Sequence, residues 1–349
     1  MDNKQLPKIS SAQLVTLLVT SRCLSLLARP SALSKGADVR ETLIGLAISV
    51  VIFFIIESKP GKILTRNMTI SKVSAVPLAA LFAVSCVNSV LSYSVFFQTE
   101  SEVTLPPSVI FIFIMAVILY ALYNGIEGIV RFGFVIATFV VIAMGSTILA
   151  NYGKMSAVNL GIPNTPGVTN IANIIIANTL LCSEIVAYFV LKRYICEEDA
   201  HKNGLRTFYV SQTVIIAVAI LVCRLVFGSF TRSQRYPLFS LAIVGEFAVV
   251  QRLDVIHIAM WLLITTVKLC AFTASILTVI SAVAPKIKHN IIISSITAFV
   301  VVAAMVMSSV FVTKPEVFEC ITAVLFVLSA AAAMGGSTKK QLKRKEGTL

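Results

Sequence analysis

Ten stretches of roughly twenty mostly apolar residues recur along this 349-residue chain, at about 9–28, 39–57, 73–97, 106–123, 128–150, 168–191, 206–229, 255–284, 290–312 and 316–335. A helix crossing the hydrocarbon core of a bilayer needs about 20 such residues. In that medium every backbone N–H and C=O must pair within the protein, so segments of this kind become helices. Charged residues make up only 13% of the chain and hydrophobic ones 57%, against about 25% charged in a soluble domain. The expected product is an all-α polytopic membrane protein of about ten transmembrane helices. The longest connection, Phe230 to Asp254, has an apolar middle. It reads as a short helix lying at the membrane interface.

The net charge of +13 is sorted by loop before any nucleic-acid partner is considered. With alternating sides, the side holding the N-terminus receives 18 of the 29 basic residues, including Lys59, Lys62, Arg66 and Lys72 and the tail run KKQLKRK. The positive-inside bias places both termini in the cytoplasm, and the plain role of the tail is as a topology signal. MDNKQLPKIS lacks the basic-then-apolar pattern of a cleaved signal, so none is expected. The seven cysteines are irregularly spaced and mostly inside apolar runs, which suits small buried side chains.

Ten spans divide into five plus five. Many secondary transporters consist of two such repeats in opposite orientation, with ligand held at mid-membrane where helices are interrupted. Here the repeats would be about 9–150 and 168–335 of a single membrane domain, 1–349, followed by a cytoplasmic basic tail, 336–349. Polar breaks fall in the first span of each half: TSRCLS (Thr20 to Ser25) and LLCSE (Leu180 to Glu184).

Ionisable residues inside the spans are costly and by default functional or paired. Lys268 is the single charge in the 30 residues from Val255 to Ala284. At 100° per residue, His257, Trp261, Thr265 and Ser275 share its face, and that mixed stripe should face the bundle interior. Lys268 is then either a fixed positive charge of a functional site or a structural lysine bonded to carbonyls. Arg22 either lines an aqueous cavity with Ser25 and Arg29, or lies at a water interface. Glu184 is the available counter-charge for both; it could pair with Lys268 or Arg22, accept a ligand's amine, or carry a proton. Asn170, Asn173 and Tyr188 lie on its face. In the third span, Ser85, Asn88 and Ser92 repeat at helical spacing, read first as interhelical hydrogen bonds, and Tyr93 is a candidate gate. Glu127 and Arg131 make an i,i+4 pair.

The stretch RYPLFSLAIVGEFAVVQRLDVIHIAMWLLITTVKLCAF (Arg235 to Phe272) resembles the B subunits of bacterial spore germinant receptors, within the amino acid–polyamine–organocation superfamily. The matching positions are Tyr236–Pro237, Arg252–Leu253–Asp254, Trp261 and Lys268, supported by Ile9–Leu14, Pro60–Gly61–Lys62 and Gly125–Gly133. The resemblance implies ten helices in a 5+5 inverted repeat and a multi-pass protein of the spore inner membrane. It also implies a role in sensing a small nutrient germinant (an amino acid, sugar or nucleoside) beside an A subunit and a lipoprotein C subunit. One feature departs from it: the family's first span usually carries a glycine-rich break, and SRCLSLLARP (Ser21 to Pro30) has no glycine.

No phosphate loop, HExxH, GxSxG or clustered metal ligand is present, so no enzyme, cofactor or metal is expected. The reading is a germinant receptor B subunit with a ligand site walled by Arg22, Cys23, Ser25, Tyr93, Ser183, Glu184, Thr265 and Lys268. Its partners would be the nutrient, the A and C subunits and the lipid bilayer, with no nucleic acid. A proton-coupled amino acid permease and a scaffold with a degenerate site are the alternatives.

Overall fold

The computed structural model describes residues 9–28, 39–56, 70–100, 107–161, 167–196, 199, 203–246, 253–287, 289–313 and 315–346. Within them the chain is helical: α1 (Ser11–Ala28), α2 (Val39–Ile56), α3 (Lys72–Glu100), α4 (Pro107–Tyr123), α5 (Gly125–Ala150), α6 (Val168–Thr179), α7 (Ser183–Leu191), α8 (Gly204–Phe227), α9 (Pro237–Val244), α10 (Asp254–Val283), α11 (His289–Thr313) and α12 (Pro315–Glu346). Among the described residues, five stretches are long and apolar enough to cross a membrane: α3, α5, α8, α10, and α6 with α7 taken together. Shorter apolar helices accompany them at Ser11–Leu24, Phe111–Tyr123, Asn290–Ala304 and Val317–Ala332. Large side chains such as Phe113, Phe134, Val141 and Phe299 are exposed on the outside, the surface that lipid covers rather than water. The expected short helix of the longest connection is α9, with Pro237 in its first turn, where a missing N–H costs nothing.

α10 is the axle of the bundle. It packs on α3, α1, α5, α4, α7 and α11, and its face from Trp261 to Val279 is almost wholly buried. At about 1.5 Å per residue its 30 residues reach about 45 Å, more than one bilayer core. α3 runs antiparallel to it: Phe82 meets Phe272 at 5.7 Å between ring centroids and Phe96 stacks on Trp261 at 3.7 Å. Tyr236 and Phe239, at the start of α9, set their edges against Phe96. The predicted stripe of His257, Trp261, Thr265, Lys268 and Ser275 is buried throughout, so it does face the interior.

At the opposite end the chain before α1 is fastened to the chain after α7. Ile9 donates to the carbonyl of Tyr194 at 2.9 Å and accepts from the Cys196 N–H at 3.0 Å, an isolated bridge between Ile9 and Ile195. Asp199 accepts the Ser11 N–H at 3.3 Å, satisfying one of the free donors at the start of α1.

The first span is one continuous helix through Thr20–Ser25, whereas the sixth is broken at Leu180–Cys182 into α6 and α7. α12 continues past 335 to Glu346, through the basic run assigned to the tail. Pro60–Gly61–Lys62, Arg252, Arg29 and Pro30 lie outside the described residues.

Helix α2 approaches α6 closely because Gly45 has no side chain. A Cβ there would lie 2.8 Å from Cγ2 and 2.9 Å from Cβ of Ile174, which is itself 2% exposed and cannot swing away. Gly45→Ala is expected to destabilise the protein by about 1–3 kcal/mol through overpacking, read as a lowered Tm in detergent. Gly145→Ala, at a position with open space around its Cβ, should leave the Tm where it is or raise it.

Candidate functional site

The broken sixth span creates two helix ends inside the bundle. α6 ends in carbonyls without intrahelical donors, and α7 begins with N–H groups without acceptors. Their partial charges, about −0.5 and +0.5, call for a cation beside α6 and an anion beside α7. The chain supplies both from its own side chains. Arg22 of α1 donates from Nη2 to the Ala177 carbonyl at 3.1 Å and from Nη1 to the Leu181 carbonyl at 3.3 Å. Glu184 stands in the first turn of α7 with its carboxylate fully buried.

Glu184 gathers three helices. Lys268 Nζ of α10 lies 2.8 Å from its Oε1, and Arg22 Nη1 lies 3.8 Å from its Oε2. Ser21 Oγ donates to Oε1 at 3.4 Å, and the Cys182 thiol lies 3.8 Å from Oε2. The ammonium of Lys268 also sits 5.2 Å from the centre of the Phe272 ring, a favourable cation–π distance. The three ionic residues are 6% (Arg22), 0% (Glu184) and 6% (Lys268) exposed. Lys268 therefore does not snorkel to an interface, and Arg22 is not at a water boundary.

A ring of neutral polar groups surrounds this centre. Ser85 of α3 donates to Ser183 at 3.3 Å. Cys182 reaches Gln212 Oε1 of α8 at 3.5 Å. Asn178 of α6 donates to Ser49 of α2 at 2.7 Å and lies 3.3 Å from the Tyr209 hydroxyl of α8. Tyr209 in turn stacks on Phe53 at 4.1 Å. Ser21 and Cys182 belong to the two polar breaks; Ser49, Asn178, Tyr209 and Gln212 were not anticipated. The break itself was the available signal: residues beside unsatisfied helix ends should be polar, and Asn178 and Cys182 flank it.

Of the eight residues expected to wall the site, the structure joins Arg22, Ser183, Glu184 and Lys268. Cys23 turns the other way. It lines two cavities between α1, α5 and α8, one apolar of about 300 Å³ and one with hydroxyls of Ser11, Thr16, Thr20, Thr207 and Ser211, of about 430 Å³. Neither is lined by Glu184 or Lys268. Thr265 is buried a turn from Lys268, its hydroxyl donated to the Trp261 carbonyl at 2.7 Å. Tyr93 lies two turns along α3 from Ser85, beside Phe97. The side chain of Ser25 lies outside the described residues. The face assigned to Glu184 fails across the break, because helical spacing does not carry over Leu180–Cys182: Asn170 donates to Glu41 of α2 at 3.0 Å instead. Ser92 bonds its own helix at the Asn88 carbonyl. Glu127 and Arg131 do pair, exposed, at 3.9 Å. Among the described residues no group of three or more His, Cys, Asp or Glu side chains is placed to hold a metal.

Comparison with known proteins adds three findings. The family model described as spore germination protein matches residues 61–312. No curated protein matches the chain. Among solved structures, the chain is similar to a Na+-coupled sialic acid symporter in a substrate-bound, outward-open state, with a TM-score of 0.64 and 10% sequence identity over 93% of this chain and 77% of that one. At that identity the likeness concerns the fold alone, the inverted-repeat transporter fold. The break in the sixth span is in keeping with it.

Removing one partner of a buried ion pair leaves a charge without compensation, at a cost of about 3–5 kcal/mol. Glu184→Gln is therefore expected to destabilise the chain by about that much, measured by thermal or denaturant unfolding in detergent. The double variant Glu184→Gln with Lys268→Met removes both charges, keeps Arg22 on its carbonyls, and should recover most of the loss.

Proposed function

This chain belongs to the spore germination protein family, and from that premise we propose that it is a transporter-shaped sensor: it binds a small nutrient germinant at mid-membrane and passes the change to partner subunits. The partners of this reading are the A and C subunits of a germinant receptor, in the spore inner membrane, with both termini in the cytoplasm. The two repeats are taken as about 9–150 and 168–335. Chemistry on the ligand is not part of the role.

One observation carries this reading: the charged break in the sixth span, where α6 and α7 are held by residues of α1 and α10. Such a junction is two-sided. A ligand that exchanges with one of these internal partners releases α6 or α7 from α1 or α10, and bundle packing shifts accordingly. It does so only by the difference in its affinity for the two packings. The ligand groups that could exchange are a carboxylate, in place of Glu184, or an amine, in place of Lys268 or the Arg22 guanidinium. The ammonium of Lys268 is a tethered cation between α7 and α10, so binding should need no added sodium.

A permease reading is favoured by the fold, which is that of a working symporter. Transport separates the two. The purified chain should be stabilised by one class of nutrient in thermal-shift measurements against amino acids, sugars and nucleosides, equally in sodium and potassium buffers. The folded double variant Glu184→Gln with Lys268→Met should lose that response. Proteoliposomes carrying the chain should then show no uptake of the stabilising nutrient. Uptake would establish the permease, and the absence of any stabilising nutrient would leave a scaffold.

A further inference from the structure

The two cavities between α1, α5 and α8 form one groove. The apolar one and the hydroxyl-bearing one share Cys23, Val140, Val141 and Ile215. Along α8 the groove runs from Gly204, the first residue of the helix, to Val222. At 1.5 Å per residue that is about 27 Å, close to the ~30 Å of a hydrocarbon core. Val141, Val214 and Val218 at its rim are exposed, so the groove opens onto the surface that lipid covers.

Its chemistry changes along its length. Near the starts of α1 and α8 it is lined by Ser11, Thr16, Thr20, Thr207 and Ser211. Thr16, Thr20 and Thr207 donate their hydroxyls to carbonyls of Ala12, Thr16 and Asn203, which leaves their oxygens able to accept. Further along, the lining is hydrocarbon: Met144, Ile148, Val214, Val218 and Val222. Among the described residues no charged side chain lines either section. Gly145 lies in the apolar section, and an added Cβ there would meet no atom within 4 Å.

These features fix what fits. An apolar cavity does not hold water. A partner helix is too thick: about 10 Å wide, it fills roughly 2,000 Å³ over this length, whereas the two sections measure about 300 and 430 Å³. A single alkyl chain is thin enough. Its head would lie at the starts of the two helices, where a span meets the membrane boundary, among acceptors and without a cation to hold an anionic group. We propose that this groove binds a neutral lipid of the surrounding bilayer, with one acyl chain beside Gly145 and a hydroxyl-bearing head on the oxygens near Ser211. The lipid braces the side of α1 that carries Cys23, while Arg22 bonds α6 on another. This site is separate from the ionic centre and does not depend on nutrient sensing.

The test is photo-crosslinking of the full chain in detergent with a diacylglycerol carrying a diazirine in one chain, followed by peptide mapping. Saturable labelling is expected in the peptides around Met144 and around Val214 to Val218. Unlabelled diacylglycerol should compete, and phosphatidylglycerol of the same chains should not. Gly145→Leu projects into open space, so it should fold with the Tm of the wild type. It should weaken labelling about tenfold or more, as the loss of about two buried methylenes does. Should Gly145→Leu lower the Tm, Val218→Phe at the exposed rim reads out the same loss. Thr207→Val with Ser211→Ala removes acceptors for the head and should weaken labelling about threefold, at unchanged positions. Labelling that does not saturate, that spreads equally to the outer faces around Phe113 and Phe299, or that persists in the groove-filling variant overturns the proposal. Equal competition by phosphatidylglycerol overturns it too, by showing that the head need not be neutral.

Discussion

A carboxylate and two cations buried in the middle of a membrane protein constrain everything around them. Each charge alone would be costly in hydrocarbon, and each is tolerable only while the others are in contact. The 2.8 Å approach of Lys268 to Glu184 and the two carbonyl bonds of Arg22 thereby fix α1, α7 and α10 relative to one another. Apolar packing cannot do this between helices in lipid, because the tails outside are as apolar as the leucines inside. The long contact of α10 with α3 supplies bulk and shape complementarity. The ionic centre supplies register.

The two halves solve the interrupted-helix problem differently. In the sixth span the backbone opens and exposes helix ends. In the first span Arg22 stands in an unbroken helix. Glycine lets backbone approach a ligand by having no side chain; a guanidinium reaches across instead. Arg22 spans the gap and donates to carbonyls that the neighbouring helix has left free. Among the described residues, the sixth span is thus broken and the first is continuous, with the Arg22 side chain bridging them.

How much of this was legible from residues alone follows from what each signal depends on. Five of the expected crossings, the short helix α9 and the inward stripe of α10 are local properties, set by hydropathy and a 100° rotation, and among the described residues they are where expected. The pairing of Glu184 with Lys268 and Arg22 was legible because three charges in apolar runs have few alternatives. Cys23, Thr265 and Tyr93 were harder. Adjacency to a functional residue on a helix means a turn of 100° away from it, which takes Cys23 from the side of Arg22 to the cavities beside α5 and α8. The extended face assigned to Glu184 assumed continuous helical phase, and the three-residue break at 180–182 destroys phase. Gln212 and Tyr209 could not be placed, because which face of α8 meets the break depends on tertiary packing.

Among the described residues the two ends of the bundle are packed in different ways. On the side of α1's start, backbone hydrogen bonds between Ile9 and the chain after α7 tie the first and sixth spans together, and Gly204 packs so tightly that an added Cβ would meet Ser11 and Tyr188. On the other side the packing is aromatic: Phe96, Tyr236, Phe239 and Trp261 pack edge and face beneath α9. Within it His257 Nε2 and Trp261 Nε1 are buried without hydrogen-bond partners among the described residues. Each such group costs about 1–3 kcal/mol while it stays buried without a partner. The backbone bonds at the start of α1 are satisfied, whereas the aromatic end holds two buried nitrogens without partners among the described residues. The aromatic end and the ionic centre are joined by one buried stripe of α10, from His257 through Trp261 to Lys268.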